Sequence, residues 1–177
     1  VNAGKTLFLL YDLTGKEKYR KAIDVIYGQL LGQPRTEEGN FWHKKIYPNQ
    51  VWLDGLYMGQ PFYMEYETKF DGRKHYDDIF RQFANVVKYM RDEKTGLYYH
   101  GYDASKSIFW CDKETGLSKN FWLRAIGWYS MALLDTLSKT EPAGYEKEYE
   151  YLKKVFCELI DSLLKFQDES GMWYQLP

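Results

Sequence analysis

The sequence contains few of the residues from which metal centres and disulfide frameworks are built. Among its 177 residues are two cysteines and three histidines, with no CxxC pair and no HExxH motif. Cys111 and Cys157 cannot build a disulfide framework, and the histidines do not follow the ligand spacing of a catalytic zinc. Walker A, GxGxxG and GxSxG motifs are also missing, so neither a nucleotide cofactor nor a serine nucleophile has sequence support. We expect no metal and no cofactor.

The chain also lacks an excess of positive or negative charge. The 24 Lys and Arg residues nearly balance the 25 Asp and Glu residues, which gives a net charge of −1. A nucleic-acid binder, or a protein that docks on anionic lipid, usually carries a basic surface. The longest mostly apolar stretch runs from Ala125 to Leu134, which is shorter than the ~20 residues of a membrane span. We expect neither a nucleic-acid partner nor a membrane.

The first residues do not have the pattern of a secretion signal. Val1–Ala22 lacks a basic start, a long apolar core and a small-residue cleavage site, which are the three parts of a signal peptide. The segment begins at once with helical periodicity, as expected of a piece of a longer chain. On this pattern the cytoplasm is favoured over the periplasm as the compartment.

Aromatic residues, by contrast, are abundant and make up 19% of the chain. Several follow a glycine within two or three residues, in segments such as Gly39–Trp42 and Gly96–Tyr99. Two explanations are open at this point: large helical cores need bulky side chains, and flat aromatic faces bind the rings of sugars.

Most of the chain repeats apolar residues at helical spacing. Two amphipathic segments precede four longer ones, which we predict as helices over about 52–69, 75–92, 120–139 and 145–167. Strand signals are weak, because no long alternation and no Asn-Gly hairpin turn occurs. Short aromatic pieces such as Leu97–Tyr99 are the exceptions. The predicted fold class is therefore all-α.

The predicted helices form three hairpins that repeat one another. Each hairpin turn has a glycine followed by a tyrosine, and each second helix is followed by a glycine and aromatic residues. The separation of 57 residues between Tyr19 and Tyr76 recurs between Gly39 and Gly96. Units of this kind cannot bury their apolar faces alone and stack on their neighbours. The glycines of the pattern are Gly15, Gly39, Gly72, Gly96, Gly144 and Gly171.

The two helices of a hairpin differ in their polar surface. The helices that begin near Trp52 and Trp122 are apolar almost all round, whereas 75–92 and 145–167 carry a charged stripe. A helix without a polar face is buried, and one with a charged stripe faces water. We therefore expect an α/α toroid of inner and outer helices, with 1–177 as a single partial domain. The helices from Trp52 and Trp122 should be more buried than the other two.

Two places carry carboxylates suited to acid–base chemistry. Asp54 opens a nearly all-apolar helix, where it either caps the helix or lies in a desolvated pocket suited to proton transfer. The long loop 100–112 holds Asp103 and Asp112, and each of these either serves catalysis or only caps a turn. A pair formed by Asp54 and one of the two is the arrangement of a glycosidase.

Four segments carry an ordered series of motifs. They are QVWLDGLYMGQPF at 50–62, LYYHGYD at 97–103, FWCD at 109–112 and TGLSKNFWLRAIGWYSMALLDTL at 115–137. Together they resemble the unsaturated rhamnogalacturonyl hydrolases of glycoside hydrolase family 105 and, less closely, the unsaturated glucuronyl hydrolases of family 88. Those proteins are (α/α)6 barrels about twice as long, so the resemblance implies that this chain supplies three hairpins of such a barrel.

The resemblance implies a glycosidase that works by hydrating a double bond. An aspartic acid protonates C4 of a 4,5-unsaturated uronic acid at the non-reducing end, and its carboxylate then takes a proton from the water that adds at C5. The hemiketal opens and releases the rest of a pectin-derived oligosaccharide. In this register the acid falls on Asp112, and Asp54 is a second carboxylate that orients the substrate.

The same resemblance implies a set of substrate contacts. Arg124 either holds a carboxylate or pairs with an inner acid, and Ile126 stands where the family commonly has an asparagine. His43 and His100 follow aromatic residues in equivalent loops, as repeat structure or as ligand contacts. We expect Asp54, His100 and Asp112 to converge at one end of the toroid, beside Trp42 or Trp110. The expected contacts are Trp42, His43, His100, Trp110, Arg124 and Trp128.

Two other functions fit the same features. A glucuronyl hydrolase would apply the same chemistry to fragments of glycosaminoglycan type. A noncatalytic helical-repeat scaffold would bind carbohydrate without consuming the double bond. Loss of the ring alkene separates the hydrolases from the scaffold.

Overall fold

The computed structural model describes all residues from Val1 to Pro177 and confirms the all-α fold class. Six α-helices follow one another as three hairpins, with one two-stranded antiparallel sheet. None of the helices has both the length and the apolarity to span a bilayer. The elements are a short 3₁₀ turn at Asn2–Gly4, α1 (Lys5–Thr14), α2 (Glu17–Leu31), β1 (Gln50–Trp52), α3 (Leu53–Phe70), α4 (Tyr76–Met90), β2 (Gly101–Asp103), α5 (Leu123–Lys139) and α6 (Glu146–Leu164).

The predicted helices agree with these bounds to within a few residues. The third hairpin differs most. Helix α5 begins at Leu123 rather than at 120 because Trp122 is extended, with φ −143° and ψ 112°. Helix α6 ends at Leu164 rather than at 167, and the Lys165 N–H donates to the Ser162 carbonyl oxygen at 3.2 Å. An i to i−3 hydrogen bond of this kind tightens and ends a helix.

All six repeated glycines have positive φ values, between 61° and 101°. At Gly15 the left-handed conformation ends α1, and the glycine N–H donates to the Tyr11 carbonyl oxygen at 2.8 Å. L side chains rarely adopt this conformation, whereas glycine adopts it freely. The glycine repeat of the sequence therefore reflects one backbone conformation used in six turns.

Helix α3 is the most buried element, with twelve of its 18 residues buried. Phe62 packs on Phe8 of α1 with ring centroids 5.1 Å apart, and Tyr66 stacks on Tyr27 of α2 at 3.6 Å. Helix α5 packs along a further side of α3. Each large side chain removed from water contributes about 1.5–3 kcal/mol. The inner position predicted for this helix is confirmed.

The same prediction holds only in part for α5. Seven of its 17 residues are buried, against seven of 15 in the outer helix α4 and five of 19 in α6. Helix α5 exposes Met131 and Leu134, and α1 exposes Leu9 and Leu13. The inner helices on either side of α3 therefore each have an apolar side that no other part of the described chain covers.

The two strands bring the long loop onto the start of α3. They pair with Trp52 opposite Gly101 and Gln50 opposite Asp103. Beyond the pair, the Leu53 N–H donates to the carbonyl oxygen of the residue before β2 at 3.1 Å, which satisfies one of the free amides at the helix start. The loop is thereby held beside the first turn of α3.

Gly116 tests the turn geometry of this loop. It has φ +82°, and a Cβ here would lie 2.5 Å from the Asp103 carbonyl oxygen, which belongs to the backbone and cannot rotate away. We expect Gly116→Ala to lower the free energy of unfolding by about 3 kcal/mol, from left-handed strain of about 1–2 kcal/mol and the contact. Gly144→Ala is the control, since its φ is +85° but nothing lies within 4 Å. Equal losses in urea unfolding would contradict a role for the contact.

Candidate active site

Asp54 lies in the first turn of α3 and is buried. The N-cap position belongs to Trp52, so Asp54 does not cap the helix. Its side chain is 9% exposed, and its Oδ1 lies 2.8 Å from Nη1 of Arg124. The positive end of the helix dipole also favours a carboxylate here. Asp54 is therefore held in one orientation in dry surroundings, with its charge compensated.

Arg124 reaches Asp54 from the first turn of α5. Its Cζ lies 4.0 Å from the centroid of the Trp122 ring, and 44% of its side chain is exposed. Of the two roles considered for Arg124, the structure contains the ion pair with an inner acid. A guanidinium has five N–H donors in a planar fork. The exposed part of Arg124 is therefore free to take a second carboxylate.

A cavity of about 570 Å³ opens beside Asp54. Its walls come from the end of α2, the first turns of α3 and the loop 40–45. The His43 imidazole and the Trp52 indole lie nearly parallel with centroids 4.3 Å apart, and Tyr47 lies nearly parallel to Trp52 at 5.3 Å. A concave site with aromatic walls and a few polar groups is typical of small-ligand pockets.

His43 and Trp42 present unpaired polar atoms in this cavity wall. Burial lowers the pKa of His43 to about 4; the Asp54 carboxylate opposes this effect, and the charges of Lys44 and Arg124 add to it. The His43 Nδ1 and the Trp42 Nε1 are both buried without a hydrogen-bond partner. The imidazole is therefore neutral at neutral pH, and its buried Nδ1 faces Gly55.

A second aromatic group adjoins Arg124. His100 meets Trp122 edge-on at 5.6 Å, and Trp110 lies 6.5 Å from His100 between ring centroids. The His100 Nδ1 lies 3.1 Å from the Asn120 carbonyl oxygen, which accepts from an Nδ1–H and leaves Nε2 as an acceptor. The structure thus brings His100 and Trp110 to the end of the molecule where α3 begins.

Trp128 lies one helical turn beyond Arg124 and contacts Tyr57, with ring centroids 4.6 Å apart. The Nζ of Lys5 is 3.4 Å from the centroid of Tyr57. Burial lowers the pKa of Lys5 to about 8, and its ammonium has no hydrogen-bond partner. Trp128 therefore belongs to a packed layer next to the Asp54–Arg124 pair.

Asp112 does not join this group. Its side chain is exposed, and its Oδ1 accepts hydrogen bonds from the Thr115 N–H, the Thr115 hydroxyl and the Glu114 N–H at 2.8, 2.9 and 3.0 Å. These hydrogen bonds, those of Thr115 first, lower the pKa of Asp112. A surface carboxylate held in its ionised form is a poor proton donor. Asp112 therefore lacks the desolvated surroundings suited to proton transfer.

Two segments lie between β1 and Asp112 in the order of backbone pairing. Trp52 pairs with Gly101, the Ser118 N–H donates to the Gly101 carbonyl oxygen, and Ser118 bridges to Cys111. The convergence of Asp54 with Asp112 stays a prediction.

Asp112 repeats a turn found earlier in the chain. The segments DEKTG at 92–96 and DKETG at 112–116 share an Asp-x-x-Thr-Gly pattern. Asp92 accepts from the Thr95 N–H and the Thr95 hydroxyl, both at 2.8 Å, just as Asp112 does from its own threonine. This repeat is the sequence signal that identifies Asp112 as a turn residue.

Asp103 is buried, at 1% exposure, but it serves the loop. Its carboxylate accepts from the Ser105 N–H and hydroxyl and from the N–H groups of Ser107 and Ile108. Burial raises the pKa of Asp103, but hydrogen bonds from Ile108, Ser105 and Ser107 outweigh this effect and hold it below its usual value. Asp103 therefore orders the loop.

One group of side chains has the donor set of a metal site. Glu67, Asp71 and His75, where α3 ends, offer ligand atoms within 4.8 Å of one another. The Tyr27 hydroxyl lies among them, at 2.6 Å from Glu67 Oε1, 3.2 Å from Asp71 Oδ2 and 3.1 Å from His75 Nδ1. Since the hydroxyl fills the centre of the group, we assign it to a hydrogen-bond network between α2 and the turn after α3.

The chain matches the Glycosyl Hydrolase Family 88 model over residues 1–176. It belongs to this family. The family 88 chain is similar to the structure of a family 105 glycoside hydrolase from C. acetobutylicum, with 49% identity and a TM-score of 0.94 over 99% of this chain and 48% of that one. A possible family 105 member from Klebsiella pneumoniae gives 26% identity and a TM-score of 0.79 over 97% and 44% of the two chains.

The chain is also similar to a curated protein. The 24.9 kDa protein in the picA locus of Rhizobium radiobacter is 33% identical over 119 residues, which are 67% of this chain and 49% of that protein. The family 88 chain thus spans about half the length of the relatives it matches. These similarities confirm the resemblance drawn from the motifs and the α/α toroid fold class.

Sequence reasoning missed part of the cavity. Trp52 lines it and stacks on both His43 and Tyr47, and Lys44 and Lys45 line it as well. The available signal was their clustering within one short segment that leads into the Asp54 motif.

The pKa of His43 predicts how the stability of this family 88 chain depends on pH. The value is about 4 in the folded chain and about 6.5 in an unfolded one. Between these values the unfolded state binds more protons, so stability that is present above about pH 6.5 is lost as the pH falls toward 4. In urea unfolding, His43→Asn should flatten the decline in unfolding free energy between about pH 6.5 and 5. Parallel curves for parent and variant would contradict this.

Proposed function

We propose that the complete protein removes a 4,5-unsaturated uronic acid from the non-reducing end of pectin-derived oligosaccharides. The observation that carries the proposal is a buried carboxylate, Asp54, paired with Arg124 beside an aromatic-walled cavity. Membership of family 88 supports a glycoside hydrolase. The rhamnogalacturonan type of substrate is supported by the motif resemblance and by 49% identity to a family 105 hydrolase.

Asp54 is the acid in this proposal. Its protonated carboxyl gives a proton to C4 of the ring alkene, and the positive charge that develops at C5 is shared with the ring oxygen. Water adds at C5, and its proton returns to the Asp54 carboxylate. The hemiketal then opens to a ketone, and the hemiacetal left at C1 releases the remaining sugar as an alcohol. One group acting first as acid and then as base ends the cycle unchanged.

Arg124 connects Asp54 with the incoming substrate. The ion pair at 2.8 Å holds the Asp54 carboxyl group in one orientation. The exposed part of Arg124 can bind the carboxylate of the incoming uronate. This shared contact places the unsaturated ring beside Asp54.

The aromatic walls position the unsaturated ring. His43 and Trp52 supply nearly parallel faces on the cavity side, and Trp122 supports the guanidinium on the other. A neutral His43 adds no charge that would repel the cation developing at C5. Walls of this kind hold the alkene against Asp54 and exclude bulk water.

We propose further that these three hairpins form half of a closed ring. The chain spans about half the length of its relatives. Helices α1 and α5 also have exposed apolar side chains on either side of α3, which in a closed ring would be covered by further hairpins. These side chains are Leu9, Leu13, Met131 and Leu134.

The assignment of the acid is tested with two matched amide variants of the complete protein. Asp54→Asn should lower kcat at least about a hundredfold, because the amide can neither protonate C4 nor accept the proton of water. Asp112→Asn should stay within about twofold, since its amide oxygen still accepts the turn hydrogen bonds. The measurement is the loss of ultraviolet absorbance of the ring alkene in an unsaturated rhamnogalacturonan disaccharide, with circular dichroism as the folding control.

Other outcomes would change the proposal in defined ways. An inactive Asp112→Asn beside an active Asp54→Asn would reject Asp54 as the acid. Binding of the disaccharide by the parent without loss of the alkene would support a noncatalytic scaffold. Loss of the alkene only from glycosaminoglycan-type disaccharides would retain the chemistry and replace the substrate class.

A further inference from the structure

The cavity beside Asp54 has a charge that the chain as a whole lacks. No Asp or Glu side chain lines it, whereas Lys44 and Lys45 both do, although the chain has a net charge of −1. The neighbouring Asp54 is already paired with Arg124. The two ammonium groups therefore leave the cavity with an uncompensated positive charge.

Both lysines lie at the mouth of the cavity. Their side chains are exposed, and neither forms an ion pair with an acidic residue of the chain. The Lys44 Nζ is 5.7 Å from the centroid of the Tyr47 ring, so this side chain reaches toward the aromatic wall. A lysine ammonium on a flexible stem binds an anion as a point charge and adapts to its position.

The floor of the cavity is polar but uncharged. Asn40, Gln60 and Gln82 line it and are at most 3% exposed. The Gln82 Oε1 accepts from the Phe41 N–H at 3.1 Å and from the Gln60 Nε2 at 3.0 Å. Since a backbone N–H only donates, this Gln82 atom must be the oxygen, and the Gln60 atom facing it must be the nitrogen. The Gln60 Oε1 is thereby turned away, and it is buried without a partner.

The two ends of the cavity therefore suit different ligand groups. A buried acceptor without a donor is unfavourable, and a ligand hydroxyl that reached the Gln60 Oε1 would supply the missing donor. The floor offers no cation, so an anionic group is not stabilised there, whereas the mouth offers two. A ligand with hydroxyl groups at its inner end and an anion at its outer end matches both.

We propose that Lys44 and Lys45 bind a second anionic group of the substrate, carried by a sugar beyond the reacting uronate. This inference rests on the proposed function. The reacting ring must reach Asp54, which lies between the cavity-lining residues Trp52 and Gly55 along the chain, and the rest of the oligosaccharide then extends past the exposed lysines. The preferred substrates are then oligosaccharides in which uronates recur along the chain, rather than those whose only charge is on the terminal unsaturated ring.

The experiment compares two substrates cut from the same polymer, an unsaturated disaccharide with one carboxylate and an unsaturated tetrasaccharide with two. The measured quantity is the ratio of kcat/KM for the tetrasaccharide to kcat/KM for the disaccharide, in the complete protein. This ratio should fall roughly fivefold in the double variant Lys44→Ser/Lys45→Ser, because two exposed ion pairs with the substrate are lost. Added salt should lower the ratio of the parent in the same direction, because exposed charges are screened.

Two further variants control for net charge and for lysine chemistry. Lys16→Ser/Lys18→Ser removes the same charge from exposed positions at the start of α2, outside the residues that line the cavity, and should leave the ratio unchanged. Lys44→Arg/Lys45→Arg should restore the ratio of the parent, since the charge is kept.

The outcomes that overturn the inference are distinct from failure of the proposed function. An equal loss of kcat/KM on both substrates would mean that the lysines serve the reacting uronate, and no loss on either would mean that they serve neither; both results overturn the inference. If the parent consumes neither substrate, the proposed function fails. Calorimetric binding of the tetrasaccharide then decides the inference: weaker binding by Lys44→Ser/Lys45→Ser supports it, and equal binding overturns it.

Discussion

The burial of helix α3 by its neighbours is the constraint on which the site depends. With twelve of its 18 residues buried, the helix cannot turn its first residues toward solvent without exposing apolar surface along its length. Asp54 is therefore kept in dry surroundings although a carboxylate prefers water. The packing of α5 along α3 also sets the first turns of the two helices side by side, which brings Arg124 within 2.8 Å of the carboxylate.

Three aspartates of the chain show how surroundings decide the role of one residue type. Asp103 is buried, but N–H and hydroxyl groups of its own loop occupy both of its oxygens. Asp112 is exposed and accepts the hydrogen bonds of a tight turn. Asp54 is buried, and its partner is the partly exposed guanidinium of Arg124. Only Asp54 has a partner that a substrate can also bind, and this shared contact places the substrate beside its carboxyl group.

Both explanations for the aromatic content apply, in different layers. Tyr63 and Tyr129 are fully buried and fill the space between helices, as a large helical core requires. Trp52 and Trp122 lie at the helix starts with part of their faces open, where they hold His43 and Arg124. The same residue type therefore supplies both the core and the walls of the site.

Local patterns were enough to predict the helices, the glycine turns and the inner position of α3. The reason is that the spacing of apolar residues and the conformational freedom of glycine are properties of short segments. Motif spacing also selected Asp54, His43 and Arg124. The tertiary structure alone decided that Asp112 is exposed and that Asp54 pairs with Arg124, 70 residues away. The physical reason is that burial and hydrogen-bond supply determine whether a carboxylate can hold a proton, and both are set by neighbours that are distant along the chain.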